Sequence, residues 1–440
     1  MIAAARRVAF DLLQRMATSD AHSDDLLRTM KVNALAAQDR NLVTTLVLGT
    51  LRWQPALDQI LLQFLTRPDQ RLSEPVRAAL RLGAFQLLHL DRVPPYAVLN
   101  DSVELVKLSN EAYATGLVNA VLRKVIHMPR GAGMDAAAAH PAWLAARWRR
   151  HFGAEAAQAI CEYDQQASPV ALRVLGANPA EELAGEGVEC APGEWLSDAC
   201  RVLRGDVART RAFAEGRVRV QDEGSQLVAE LAAAAMPEAK RVLDACAAPG
   251  GKTAVLAERL AEARIVALEI SERRREQMKR NLKAYEERVE CVAGDASALA
   301  PEPEYDLILC DAPCSGTGTM ARNPEIRLRV YPEDLARQQA RQVAILRSVA
   351  GALKPGGRVV YATCSLEPEE NEDVVRAVAA RTGLRVVEMA PLVEQLAAKG
   401  VLTERGRENV LAAITNDQLR TLPGVHPCDG FFAAVLEREA

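Results

Sequence analysis

No two of the nine cysteines in this 440-residue chain stand as Cys-x-x-Cys. That absence argues against a zinc ribbon and against a thioredoxin-type redox site. The one close pair, "CDAPC" (Cys310 and Cys314), has no histidine nearby to complete a metal set, so no metal is expected. Long apolar runs are missing too. No stretch approaches the ~18 apolar residues of a membrane span, and no membrane association is expected. Charge interrupts the opening "MIAAARRVAFDLLQRMATSD" before the apolar core of a signal peptide can form. There is no internal repeat and no long low-complexity run. What is left is a globular protein expected in the cytoplasm, where a reducing environment keeps thiols mostly free. With 25% charged and 49% hydrophobic residues, the chain can bury its cores without disulfides. Its length suggests two to four domains.

The net charge of −4 conceals an asymmetry. Residues 1–150 hold 19 Lys and Arg against 13 Asp and Glu, whereas the remainder holds 35 against 45. A basic first part beside an acidic second part suits a polyanionic partner for the first, and equally an ordinary solvated helical surface.

Residues 1–128 read as helix throughout. "PVRAALRLGAFQLLHL" sets Val76, Leu80, Ala84 and Leu87 on one face at helical spacing. Two prolines in "DRVPPYAVLNDSVELVK" break the chain, and Asn100 or Asp101 is expected to cap the next helix. Residues 129–141, "PRGAGMDAAAAHP", lack periodicity and read as a linker. Residues 142–221 read as a small mixed α/β segment. It has a helix around "AWLAARWRRHFG" and β-prone pieces at "PVALRVL" and "GRVRVQD".

From residue 222 to 440 short apolar strands alternate with helices. The strands are "RVLDA" (241–245), "RIVALE" (264–269), "VECVA" (289–293), "DLILCD" (306–311) and "RVVYAT" (358–363), and a long helix across 332–353 stops at "KPGG". Such alternation predicts a doubly wound, mostly parallel, Rossmann-like sheet, which binds ligands beyond the carboxyl ends of its strands.

Polar residues cluster at those ends. The first strand runs into "DACAAPGGKT" (244–253), whose glycines permit close backbone approach before a helix start. Its "GGKT" resembles a P-loop, and "LILCD" could serve as a magnesium-binding strand, which makes an ATPase a rival reading. Position 246, where that motif needs glycine, is cysteine. Glu269 ends the second strand about 20 residues on, where nucleotide-binding folds grip a ribose diol. Asp295 follows the third strand, Asp311 ends the fourth and Cys364 follows the fifth. A ribose clamp beside a reactive thiol suits S-adenosylmethionine chemistry on an electron-poor carbon. Cytosine C5 becomes nucleophilic once a thiolate adds at C6. An ordinary thiol has a pKa near ~8.5, so the site must favour the thiolate, and Lys252 is the nearest candidate cation.

These residues match a known pattern. "DACAAPGGKT", "DAPCSGTG", "YATCSLEPEENE", the terminal "DGFFAAVL" and "VQDEGSQL" (220–227) resemble the two-cysteine RNA cytosine-5 methyltransferases. The N-terminal "RLGAFQLLHLDRVPPYAVLNDSVELVK" and "GLVNAVLRK" resemble a helical NusB-like RNA-binding domain. The combination is similar to the family's bacterial members that act on 16S ribosomal RNA. The resemblance implies an all-α NusB-like domain, the small mixed segment and a C-terminal Rossmann-like methyltransferase domain. It implies cofactor contacts from Cys246, Ala247, Ala248, Pro249, Gly250, Gly251 and Lys252, then Glu269, Asp295 and Asp311. It makes Cys364 the nucleophile and Cys314 the cysteine that assists product release, with Lys252 and Asp311 near the base. Many relatives carry aspartate where this chain has Glu269, and either carboxylate can accept from a ribose. "RNPEIR" (322–327) departs at several positions from the family's "RHPDIK"-like form. The resemblance also implies a monomer acting on 16S ribosomal RNA before subunit assembly is complete. The rivals are a family member acting on transfer RNA and a NusB-like binding factor with a silent methyltransferase domain.

Overall fold

Prolines and apolar spacing lay out the N-terminal helices. A computed structural model describes residues 2–67, 69, 71–131, 135–176, 179–300, 302 and 304–439. Its N-terminal part holds the long helices Ala4–Thr18, Ala37–Phe64, Glu74–His89, Pro95–Leu108 and Thr115–Ile126. Val76, Leu80, Ala84 and Leu87 are all buried, as their spacing predicts. Each large aliphatic side chain so buried is worth about 1.5–3 kcal/mol. The helix expected to start at Asn100 or Asp101 starts at Pro95 instead. Proline lacks only an N–H that the first helical turn leaves unpaired, so it opens the helix and places both residues inside it. Asp101 is buried and accepts from the Arg6 guanidinium at 2.8 Å.

Two units divide the chain, Met1–Ala167 with Met320–Arg329, and Ser168–Thr319 with Val330–Ala440. The boundary between the units falls within the segment 142–221. Its helix Ala142–Asp164 belongs to the first unit and its strands to the second. Within the proposed linker, residues 132–134 lie outside the described residues, while Ala137–Ala139 form a 3-10 turn.

The "RNPEIR" stretch belongs to the helical unit for a visible reason. Glu325 is buried and accepts from the N–H and the hydroxyl of Ser23, both at 2.9 Å. Arg327, 2% exposed, donates to the carbonyls of Arg52 at 2.7 Å and Asp164 at 3.2 Å. Arg329 donates to the carbonyls of Met16 and Ala21 at 3.1 and 2.9 Å.

The second unit carries two sheets. The smaller is antiparallel, of β1 (Ala171–Val174), β2 (Glu189–Pro192), β3 (Ala199–Arg204) and β4 (Val218–Val220), in the order β2-β3-β1-β4. Sequence pattern predicts β1 and β4; the edge pair β2–β3 becomes visible only in the fold. Arg173 of β1 is buried and pairs with Glu230 at 2.9 Å and Glu258 at 2.8 Å, from the helices Glu223–Ala235 and Gly251–Arg259. Arg259 and Arg219 share those two carboxylates, and Asp198 faces both Arg173 and Arg259, so three cations meet three anions.

The larger sheet has nine strands. Its parallel part is β5 (Arg241–Asp244), β6 (Arg264–Glu269), β7 (Val289–Ala293), β8 (Tyr305–Asp311) and β9 (Leu353–Thr363), ordered β9-β8-β5-β6-β7. Antiparallel strands extend it beyond β9: β10 (Leu384–Val386), β11 (Ile414–Thr415), β12 (Gln418–Arg420) and β13 (Phe432–Arg438). "KPGG" does not follow the long helix as a plain stop. The helix ends at Gly351, and "KPGG" is an irregularity inside β9 where the register against β8 shifts. Gly356 has φ +72°, which lets the strand kink there without strain. Apolar side chains on both faces bury the parallel strands, leaving their carboxyl ends as the place for polar chemistry.

Candidate active site

The turn after β5 sets the first wall. Gly250 has φ +103° and caps the helix Gly251–Arg259, and a Cβ there would meet Leu282 at 3.0 Å. Only glycine takes that conformation freely. Asp244, 1% exposed, accepts from the Thr253 hydroxyl at 2.7 Å, and its other oxygen has no partner. Burial above all, with Asp311 nearby, pushes the Asp244 carboxyl up to about 7. Burial and the surrounding carboxylates likewise push the Cys246 thiol far up, leaving it a poor nucleophile.

The other strand ends follow in turn. Glu269 is 4% exposed, accepts from the Ser271 N–H at 2.8 Å and faces the Arg274 guanidinium at 3.3 Å. Asp295 is exposed and accepts from the hydroxyl and N–H of Ser297 at 2.7 and 2.8 Å, which lowers its pKa. Asp311 accepts from Lys252 Nζ at 2.8 Å. That ammonium also sits 5.4 Å from the centre of the Phe431 ring. Burial opposes its charge, but Asp311 and Cys364 outweigh burial and hold the Lys252 pKa above the ordinary lysine value.

Strands β8 and β9 are parallel neighbours, with Asp311 opposite Ala362. The loop after one and the end of the other therefore bring Cys314 Sγ and Cys364 Sγ to 3.3 Å. The bond to Cys364 first, then burial and the negative charge of Glu370 and Asp311, hold the Cys314 thiol well above the ordinary range. The nine cysteines are all free.

The terminal "DGFF" explains itself at this point. The Gly318 N–H donates to the Cys364 carbonyl at 2.9 Å, and the Gly430 N–H donates to the Gly318 carbonyl at 2.8 Å. A Cβ on Gly318 would meet the Gly430 oxygen at 2.3 Å, so the two backbones touch only because both residues are glycine.

Cys246, Ala248, Glu269, Asp295, Asp311, Cys314 and Cys364 line one cavity of about 280 Å³. Ala247, Pro249, Gly250, Gly251 and Lys252 stand outside that lining; they turn the chain, and Lys252 reaches Asp311. Arg274 and Arg341 also line the cavity, and buried Glu370 joins the two cysteine loops. Sequence reasoning assigned none of these three a role. The acidic run "PEENE" was the one signal for Glu370. Among the described residues no group of three or more His, Cys, Asp or Glu could hold a metal ion. The cavity fits a nucleoside cofactor: it is small, has a buried carboxylate and is walled by close-packed glycine turns. A Cβ on Gly294, beside Asp295, would meet Leu268 at 2.6 Å. The P-loop reading fares worse, since Asp311 already engages the lysine that would serve a phosphate.

Comparison with known proteins decides the family. A model described as 16S rRNA methyltransferase RsmB/F matches residues 232–437. The NusB family matches 3–127, and the RsmF/B-like ferredoxin-like domain matches 140–207. The probable ribosomal RNA small subunit methyltransferase B of Bacillus subtilis is 32% identical, covering 99% of this chain and 98% of its own. The chain belongs to the RsmB/F methyltransferase family. Ribosomal RNA small subunit methyltransferase B of Xanthomonas campestris is 34% identical, covering 93% of each chain. The crystal structure of PH0851 shares the fold at TM-score 0.79 and 22% identity, covering 99% of this chain and 98% of that one. An RsmB/F methyltransferase takes its methyl group from S-adenosylmethionine, and the cavity at the ends of β5, β6 and β7 is where this chain would hold it. The family's NusB and ferredoxin-like parts coincide with the helical unit and the small sheet.

Proposed function

We propose that this protein methylates C5 of a specific cytosine in 16S ribosomal RNA, with Cys364 adding to C6. The observation that carries the reading is the pair of thiols 3.3 Å apart on the wall of a cavity that also holds Glu269 and Asp295. Glu269 would bind the ribose diol and Asp295 the adenine edge, while the turn Cys246–Lys252 would carry the methionine end. Bound there, S-adenosylmethionine supplies an electrophilic methyl group.

The residues divide the work as follows. Cys364 forms the C6–S bond, and the C5–C6 π electrons move to C5, which takes the methyl group. Lys252, whose charge is felt at Cys364, is a fixed cation for the negative charge that develops on sulfur and on the ring. Asp311 keeps that ammonium in place. The Cys314 sulfur, 3.3 Å from that of Cys364, would accept the C5 proton as a thiolate; the C5–H electron pair then restores the C5–C6 double bond and expels the Cys364 sulfur. Cys314 in this role assists release of the product, and its raised pKa makes its thiolate the stronger base.

The target base must leave any stack to reach the cavity, so a looped or flipped cytosine is the expected substrate. The helical part, residues 1–128, would grip RNA phosphates, and 222–440 would carry the chemistry. Among the described residues no helix is long and apolar enough to cross a membrane. A monomer acting in the cytoplasm on RNA not yet fully assembled completes the reading. The test is a map of 5-methylcytosine across cellular RNA with and without the gene. Loss of one site in 16S ribosomal RNA is expected. Loss confined to transfer RNA would redirect the substrate, and no loss at all would refute the activity.

A further inference from the structure

The two turns that carry the thiols touch directly: the Ser315 and Ser365 hydroxyls lie 3.1 Å apart, and that of Ser365 lies 3.3 Å from the Thr317 hydroxyl. Gly318 N–H reaches the Cys364 carbonyl, and the Leu366 N–H donates to the Thr317 hydroxyl at 2.9 Å. Neither bond reaches the residues that flank Cys314. One carboxylate gathers those residues together with Ser365. Glu370, 0% exposed, accepts from the Ser315 N–H at 2.8 Å and from the Ser315 hydroxyl. It also accepts from the Ser365 hydroxyl, and from the Gln342 amide at 3.0 Å. Ser315 and Ser365 are the residues immediately after Cys314 and Cys364. The same Gln342 amide donates to the Pro313 carbonyl at 3.0 Å, so both neighbours of Cys314 are tied to one point. Glu370 is itself pinned, since the Tyr361 hydroxyl from β9 donates to its carbonyl at 2.6 Å.

We infer that Glu370 is the positioning residue that sets the distance between the Cys314 and Cys364 thiols, acting through Ser315, Ser365 and Gln342. The inference rests on the methyl-transfer reading for its consequence and on bonding geometry alone for its substance. Four donors converge on one buried carboxylate, and a buried acceptor so satisfied orders what it binds. An alanine at 370 leaves the Ser315 N–H without an acceptor and loosens the turns, which then meet through the Ser315 and Ser365 hydroxyls and the Gly318 and Leu366 bonds. A glutamine of the same size retains one carbonyl oxygen for the two N–H donors. Its amide can donate to the two serine hydroxyls, which rotate to accept.

The test reads thiol spacing without RNA or cofactor. Diamide, a diazene, removes two hydrogens from a close thiol pair: two S–H bonds are lost, one S–S bond forms, and the diazene becomes the hydrazine. Peptide mass spectrometry follows closure of the Cys314–Cys364 pair over time. Glu370→Ala is expected to slow closure at least tenfold, and Glu370→Gln to stay within about threefold of the parent protein. Methyl transfer should follow the same order. Glu370→Ala should lower kcat about 10²-fold, the usual result of displacing reacting groups by about 1 Å, with KM for RNA and cofactor affinity within twofold. If Glu370→Ala fails to fold, the double variant Ser315→Ala/Ser365→Ala removes bonds to the same carboxylate from the other side and should slow closure likewise. Closure at the parent rate in the variants overturns the inference whatever the activity. Slow closure in a protein that never methylates RNA would refute the proposed function and leave the positioning role standing.

Discussion

Replacing Asp244 by asparagine should change the pH dependence of stability in a calculable way. The carboxyl sits at the end of β5, 1% exposed, with one oxygen bonded to Thr253 and the other to nothing. Burial raises it from 3.8 to about 7. Below pH ~4 it is protonated in both folded and unfolded chains. Between that point and pH ~7 the unfolded chain ionises while the folded one keeps its proton, so stability falls as pH rises. Above the folded value both forms are ionised and the loss is complete. A rise from 3.8 to about 7, at 1.36 kcal/mol per unit, amounts to about 4 kcal/mol. From pH 5 to pH 8 the change is about 2–3 kcal/mol by the same arithmetic. Asparagine cannot ionise and can still accept from Thr253. Its amide nitrogen would take the unpartnered position at a cost of about 1 kcal/mol, constant with pH. The measurement is the melting temperature of parent and Asp244→Asn, without cofactor, from pH 5 to 8.5. Comparing the two cancels the titration of every other group. The variant should gain on the parent by roughly 5–10 °C between pH 5 and 8, then stay level, at about 2–4 °C per kcal/mol. A difference that stays flat with pH would show that the Asp244 carboxyl ionises as easily folded as unfolded.

Three further outcomes are expected. Glu269→Ala should weaken S-adenosylmethionine binding by about 10- to 150-fold, the loss of charge-assisted hydrogen bonds worth roughly 1.5–3 kcal/mol, with the fold intact; unchanged calorimetric affinity would remove Glu269 from the cofactor site. Cys364→Ala should abolish methyl transfer and form no adduct, whereas Cys314→Ala should methylate once and accumulate a protein–RNA band that survives denaturing gels; the reverse pattern would exchange the two roles, and full activity in both would end the covalent mechanism. RNA affinity of the full chain should fall steeply with salt as phosphate contacts release counterions, and a flat salt titration would make the basic N-terminal part a merely solvated surface. Deleting that part is a poor substitute, because Glu325, Arg327 and Arg329 would lose the partners that bury them.

Much of this protein could be read from local pattern. Short apolar strands ending in a polar residue mark themselves, because a strand buried on both faces can be polar only at its ends. The β5 to β9 strands, the glycine turn at Gly250, and Glu269, Asp295, Asp311 and Cys364 at the strand ends all follow from that rule. β8 and β9 are parallel neighbours, and that pairing brings Cys314 and Cys364 together. Tertiary structure alone decided the rest. Nothing local tells "RNPEIR" that Glu325 and Arg327 find their partners at Ser23 and Asp164, far off in the chain. A charged residue reads as solvent-exposed until the fold brings it a donor or an acceptor. Pro95 opened a helix where an asparagine or aspartate cap was expected, since capping strength and proline's fit at the first turn compete and packing settles the outcome. Glu370 is the sharpest case. In sequence it is one glutamate of an acidic run. Only when β8, β9 and the helix Pro332–Gly351 pack together do Ser315, Ser365 and Gln342 converge on it. Hydrogen-bond partners that are distant in sequence are fixed by the packing of whole elements, and no local period encodes that.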